Sequence, residues 1–212
     1  MRLRSTSSLL RTALGVLAFA AIARQLVLHV QLDFDVVNFF SFFTNLSNLF
    51  AAAVFIFSAR RRSARTDASK STDQLRAVSV VNMTVVGIVF AILLRDTDLG
   101  SLLPWVNVVL HYVMPCVVVL HWLLLPPRRK LGPRQLLLCQ IFPAFYLAYV
   151  LVRGSMIGWY PYPFLNPANV GGYSGVAVYM MGIAATFLVS GWGLLILGNK
   201  LRRPEHVIPS ST

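Results

Sequence analysis

Stretches of about 20 apolar residues, enough to cross a bilayer core of about 30 Å as a helix, recur along this chain and are separated by short segments that hold most of its charge. Lipid cannot satisfy backbone hydrogen bonds, so chains of this kind fold as helix bundles. Six such runs are read, over residues 9–30, 36–57, 75–94, 104–125, 135–153 and 173–197. The sequence therefore predicts an all-α polytopic membrane protein, one six-transmembrane-helix domain over 1–212. Composition agrees: 57% of residues are hydrophobic and only 12% charged, against about 25% charged in soluble domains. The first run follows Arg2 and Arg4 and contains the small residues Ala18, Ala20, Ala21 and Ala23, which resembles a signal peptide. It is longer than a signal core and further spans follow, so it reads as the first membrane helix.

The net charge of +12 reports topology in such a chain rather than nucleic-acid binding. Basic residues gather at the amino terminus, in residues 59–76, after residue 125 and in the tail. Only Arg24, Arg95 and Arg153 fall toward the other side, where Asp33, Asp35, Asp96 and Asp98 lie. The positive-inside rule then puts both termini in the cytoplasm, which predicts a multi-pass plasma-membrane protein. The same charges would attract anionic inner-leaflet lipids. Residues 59–74 are charged, lack periodicity and read as a surface loop.

Polar groups inside the spans carry the functional signal. Asn38, Ser41, Thr44, Asn45 and Asn48 recur at spacings of three and four, a single stripe if the 36–57 run is one helix. Thr44 lies about 12 Å from the start of that run and His111 about 10 Å from Pro104, at 1.5 Å per residue. Antiparallel neighbours would bring the two to one level. Arg24, Gln25, Asn107, Tyr146, Tyr149 and Arg153 fall in the same half, so a polar pocket is expected there. A buried histidine is a functional candidate, and imidazole beside a hydroxyl can act as base for a nucleophile. Asn45 or Asn107 could orient the ring or hold an oxyanion. Each of these groups can equally serve as interhelical hydrogen-bond glue. No buried carboxylate completes a triad. Cys116 and Cys139 sit in apolar runs and form no metal motif. His111 and His121 point different ways around one helix, so no metal or cofactor site is expected.

Three segments resemble a known family. Phe42-Phe43-Thr44-Asn45-Leu46, the Trp105-x-Asn107-x-x-x-His111 pattern followed by Pro115, and Tyr160-Pro161-Tyr162-Pro163-Phe164-Leu165 are similar, in order and approximate spacing, to segments of the androgen-induced and androgen-dependent integral-membrane proteins. The form here looks closest to their bacterial six-span relatives, the Pr-six-Pr membrane proteins. The resemblance implies a threonine hydrolase of fatty-acid esters of hydroxy fatty acids or similar lipid esters, with Thr44 as nucleophile and His111 as base. Pro115 comes one residue earlier than in the eukaryotic pattern, and Asn45, Ser47 and Asn48 replace less polar residues. The loop 154–172, rich in aromatic residues and proline, is expected to cover the pocket as a lid, with Tyr162 and Asn166 able to touch a substrate headgroup. Two other functions use the same features: an amphiphile-binding or transport protein without chemistry, and a membrane scaffold working through its basic segments.

Overall fold

The computed structural model describes residues 2–63 and 70–202, with side chains over 8–60 and 71–202. The structure is all-α and 82% helical, with no strand among the described residues. The order is α1 (Arg2–Gln31), α2 (Val36–Phe40), α3 (Phe43–Ser63), α4 (Lys70–Val89), α5 (Pro104–Val108), α6 (Met114–Leu124), α7 (Pro133–Ile157) and α8 (Tyr173–Leu201). A π turn, Phe90–Leu94, extends α4, and a second, Val109–Val113, joins α5 to α6. Five helical stretches are long and apolar enough to cross a membrane: Ser8–Gln31, Ser71–Leu94, Pro104–Leu124, Pro133–Ile157 and Tyr173–Leu201. Helix α3 is not one of them. Thr44, Asn45, Ser47 and Asn48 at its start and Arg60 to Arg62 near its end dilute its apolar length.

The expected helix over 36–57 is corrected most. It breaks between Phe40 and Phe43 although neither proline nor glycine marks the place. Asp35 caps α2 by accepting from the Val37 N–H at 2.7 Å, and α2 stops after five residues. The Ser41 hydroxyl donates back to Val37 O at 2.7 Å, a local bond that competes with helix continuation. Backbone groups freed by the break find tertiary partners, described below. The expected loop over 59–74 is also revised: α3 runs to Ser63 and α4 starts at Lys70. Arg and Lys are good helix formers, and a charged helix end can extend past the apolar layer. Helix α7 likewise continues to Ile157, where Gly158 closes it at φ +71°, the left-handed conformation glycine adopts without a Cβ clash.

Helix α4 is the hub, packed against α3, α6, α7 and α8. Its membrane-length stretch is 56% buried, against 11% for α7 and 17% for α8. Small residues permit close crossings: Gly15 of α1 faces Ala52 and Ile56 of α3, and Gly198 of α8 lies against the Trp122 ring. The two ends of the bundle are tied differently. At the basic end, Asp73 accepts from the Arg128 and Arg129 N–H groups at 2.9 and 3.3 Å and pairs with Arg76 at 3.5 Å. The Arg76 guanidinium bonds Leu125 O and lies over Trp122, whose indole N–H donates to Leu194 O. Asn199 holds both the N–H and the carbonyl of Leu131. At the acidic end, buried Gln25 donates to Ser101 O and accepts from Leu103 N–H, each at 3.0 Å.

Candidate functional site

A cavity of about 340 Å³ lies toward the acidic end, between the first turn of α3, α4, α7, α8 and the 158–172 loop. Its wall is almost wholly apolar; Val86, Leu147, Phe164, Ile183 and Phe187 are typical. Four residues bring polar atoms to it: Thr44, Gln140, Tyr146 and Tyr162. Pro143 lies on its α7 wall. Three lining residues, Ala144 on α7 and Ala184 and Leu188 on α8, are exposed. The cavity thus has an opening on the flank where α7 and α8 face the surroundings.

The polar end of the cavity is built by the α2–α3 break. The first N–H groups of a helix have no partner within it, and here two tyrosines supply one each. The Phe43 N–H donates to Tyr146 Oη at 3.2 Å and the Thr44 N–H to Tyr162 Oη at 3.3 Å. Tyr146 in turn donates to Ser41 O at 2.8 Å, and the Ser41 hydroxyl meets the Tyr149 hydroxyl at 3.1 Å. Tyr162 and Phe164 stack at 5.2 Å between ring centroids, and Phe42 stands edge-on to Tyr162 at 5.7 Å. Burial pushes the Tyr162 phenol above its ordinary value, so it remains a neutral donor at physiological pH.

The loop expected as a lid forms a fixed roof. Tyr162, Phe164 and Leu165 reach the cavity from it. The ring of Tyr160 lies where a side chain on Gly154 would be, and Val170 O fills the equivalent space at Gly175. Only glycine allows either contact. Trp159 packs on Phe42 at 5.8 Å and under the Arg153 guanidinium, which pairs with Asp35 at 3.5 Å.

Among the remaining expected residues, His111 is buried in the second π turn, its Nδ1 3.3 Å from Asn107 O and its ring stacked on Phe90 at 4.1 Å. Phe90 opens the other π turn, so the two helix irregularities meet at this stack; π turns are frequent at functional sites. Asn48 links the two halves of the expected pair. Its amide nitrogen donates to Thr44 O at 2.9 Å and to Leu110 O, the residue before His111, at 3.1 Å. His111 does not line the cavity, and no hydrogen bond joins it to Thr44. Asn45 donates to Phe39 O at 2.8 Å and secures the break. The Asn107 and Asn48 side-chain oxygens are buried without a protein partner.

Of the expected site residues only Thr44, Tyr146 and Tyr162 line the cavity; Asn45, Asn48, Asn107 and His111 do not, and neither do Arg24 and Asn166. Arg24 is exposed on α1 and takes no part in the cavity; a long cation at a helix end extends to the surface rather than into an apolar space. Asn166 caps a short 3₁₀ turn, accepting from the Ala168 N–H at 3.0 Å. The α8 wall carries no signal beyond an apolar helical run, whereas Gln140 is a polar residue inside one and is not among the expected residues. Among the described residues no three His, Cys, Asp or Glu side chains converge as a metal site would require. Compared with known protein families, with curated proteins and with solved structures, the chain matches none.

Proposed function

We propose that this chain is a plasma-membrane hydrolase of single-chain lipid esters, with Thr44 as nucleophile. In this reading α3 is the sixth span, its break drawn into the membrane by the tyrosine bonds, and both termini are cytoplasmic, as the basic residues demand. The basic end then faces anionic inner-leaflet lipid. The observation that carries the proposal is the position of Thr44: a buried hydroxyl at the polar end of an apolar cavity with an opening on the lipid-facing flank. An amphiphilic ester could pass between α7 and α8 without leaving the bilayer, its chain along the cavity and its carbonyl near Thr44. The residues matching the threonine hydrolases of the androgen-induced type, Thr44 and His111, support the same nucleophile and base, although the fatty-acid esters of hydroxy fatty acids cleaved by that type carry a carboxylate for which this cavity has no cation.

In the first step the Thr44 hydroxyl oxygen attacks the acyl carbon while its proton passes to His111. Collapse of the tetrahedral intermediate expels the alcohol, which takes that proton from His111 and leaves an acyl-Thr44 ester. Water, deprotonated by His111, then releases the acid and restores the hydroxyl. Asn107 O holds Nδ1 of the imidazole, leaving Nε2 for proton transfer. Catalytic hydrogen bonds often tighten only around substrate, so the Thr44–His111 contact is assigned to the complex, with Phe90 moving off the ring.

The present separation of His111 from the cavity favours one other function, binding or transport of the same amphiphile without cleavage. Turnover of a panel of medium- and long-chain esters by the purified protein distinguishes them. Hydrolysis is expected in the parent, with Thr44→Ala and His111→Ala each lowering it at least about a hundredfold, the size of a lost proton-transfer or nucleophilic group. Turnover that survives both substitutions overturns the proposal. Ester binding without any turnover establishes the binding function instead.

A further inference from the structure

The ligand's headgroup can be specified further than its chain. None of the residues lining the cavity carries a charge at neutral pH: no Lys, Arg, His, Asp or Glu is among them. The ion pair beyond the polar end, Arg153 with Asp35, is partly exposed, and neither residue lines the cavity. What the cavity offers is neutral polarity. Tyr146 spends its proton on Ser41 O while accepting from the Phe43 N–H. Tyr162 accepts from the Thr44 N–H and has the Thr44 and Tyr146 hydroxyls as side-chain partners; as a neutral phenol it can turn its proton to a ligand oxygen. The volume of about 340 Å³ is near the lower bound of the usual ligand-pocket range of roughly 300–1,000 Å³. That suits one chain and not a two-tailed phospholipid.

We infer that the cavity selects an uncharged single-chain amphiphile, the Tyr162 hydroxyl donating to its carbonyl oxygen beside Thr44, and that it rejects the corresponding carboxylate. A carboxylate here would lose its hydration with no cation to replace it, and burying an unpaired charge is far costlier than burying a carbonyl with one donor. Burial of Tyr162 against Phe42 and Phe164 keeps that phenol protonated across the neutral range. The selectivity has a consequence for turnover. A neutral ester is retained, whereas the fatty-acid anion made from it is expelled, so the product does not block the site. This inference rests on the cavity being a lipid site, as proposed above, but not on Thr44 being a nucleophile.

The test uses a ligand that cannot be hydrolysed. Methyl undecyl ketone and dodecanoate have comparable chains and differ in head charge. Their binding to the full chain in detergent or lipid nanodiscs at pH 8 is measured by displacement of a radiolabelled long-chain ketone. The ketone is expected to bind at least tenfold more tightly than the anion, and Tyr162→Phe to weaken ketone binding about three- to tenfold, the range of one neutral hydrogen bond. Dodecanoate is expected to gain on the ketone as the pH falls toward its own pKa. Ala184→Trp, which fills the exposed side of the cavity, should abolish ketone binding without touching the polar end. Equal or tighter binding of dodecanoate at pH 8, or no ketone binding at all, overturns the inference. So does a Tyr162→Phe variant that folds and binds the ketone as well as the parent does. Absence of esterase activity with ketone selectivity intact would instead count against the hydrolase proposal alone.

Discussion

At the basic end Asp73 is 2% exposed and holds two backbone N–H groups and a guanidinium, and beside it Trp122 and Asn199 close the α6–α7 link onto α8. At the acidic end two buried phenols cap a broken helix and border an open cavity. Both ends satisfy backbone donors with side chains, but the partners differ in kind. A carboxylate binds several donors at once, and here all of them come from the protein. A phenol accepts an N–H while staying neutral. The first arrangement makes a frame; the second leaves neutral hydroxyls at the wall of a cavity.

Removing the frame's anchor is the harshest way to break this contrast. Asp73→Ala leaves the half-buried Arg76 without its carboxylate and strands the Arg128 and Arg129 N–H groups. Breaking one side of a buried ion pair costs about 3 to 5 kcal/mol, and the loss should appear as a large fall in the thermal or denaturant midpoint of the detergent-solubilised protein. A change under about 1 kcal/mol, the size of a surface pair, would mean that the basic end is not the frame it looks like. Tyr146→Phe at the other end removes an acceptor for the Phe43 N–H and a donor to Ser41 O. Two neutral hydrogen bonds predict about 1 to 3 kcal/mol. Tyr149→Phe, with its single contact to the Ser41 hydroxyl, serves as the milder control. Equal losses in the two variants would show that the break is held by something other than Tyr146.

How far the chain announces this arrangement differs between the ends as well. Apolar runs, charge asymmetry and the proline at the start of α5 make the long helices readable, because helix length and lipid are local constraints. Thr44, Tyr146 and Tyr162 stand out as polar groups in apolar surroundings, and all three line the cavity. The break at Ser41 is a different matter. It has no proline, no glycine and no cap residue before Phe43, and it exists because Tyr146 and Tyr162, more than 100 residues away in the chain, take up its donors. No local pattern encodes a partner that distant. His111 shows the same limit: its depth along the helix was readable, but the π turn and the Phe90 stack that turn its ring away from the cavity depend on packing between helices. Arg24 misleads for a simpler reason. Of the two polar neighbours expected in that half, Gln25, rotated about 100° from Arg24 around the helix, is the one that faces inward.

The smallest expected effect is the most specific to the open end. Tyr162 ionises near pH 10 when exposed, and in the folded protein burial raises that value. Between the two values the unfolded chain loses the proton and the folded chain keeps it, so ionisation favours unfolding. The contribution of Tyr162 is therefore fully present below about pH 10, by its unperturbed pKa, and is lost as the pH climbs through the raised folded value. A stability profile should be flat on this account from pH 7 to 9 and fall above about pH 10, with the fall shallower in Tyr162→Phe because phenylalanine has no proton to lose. Tyr146 remains in both proteins, so the difference between the two profiles isolates the roof residue. Parallel profiles in parent and variant would mean that the phenol over Thr44 is hydrated in the folded state, and a hydrated Tyr162 could not enforce the neutral-head selectivity on which the cavity's use depends.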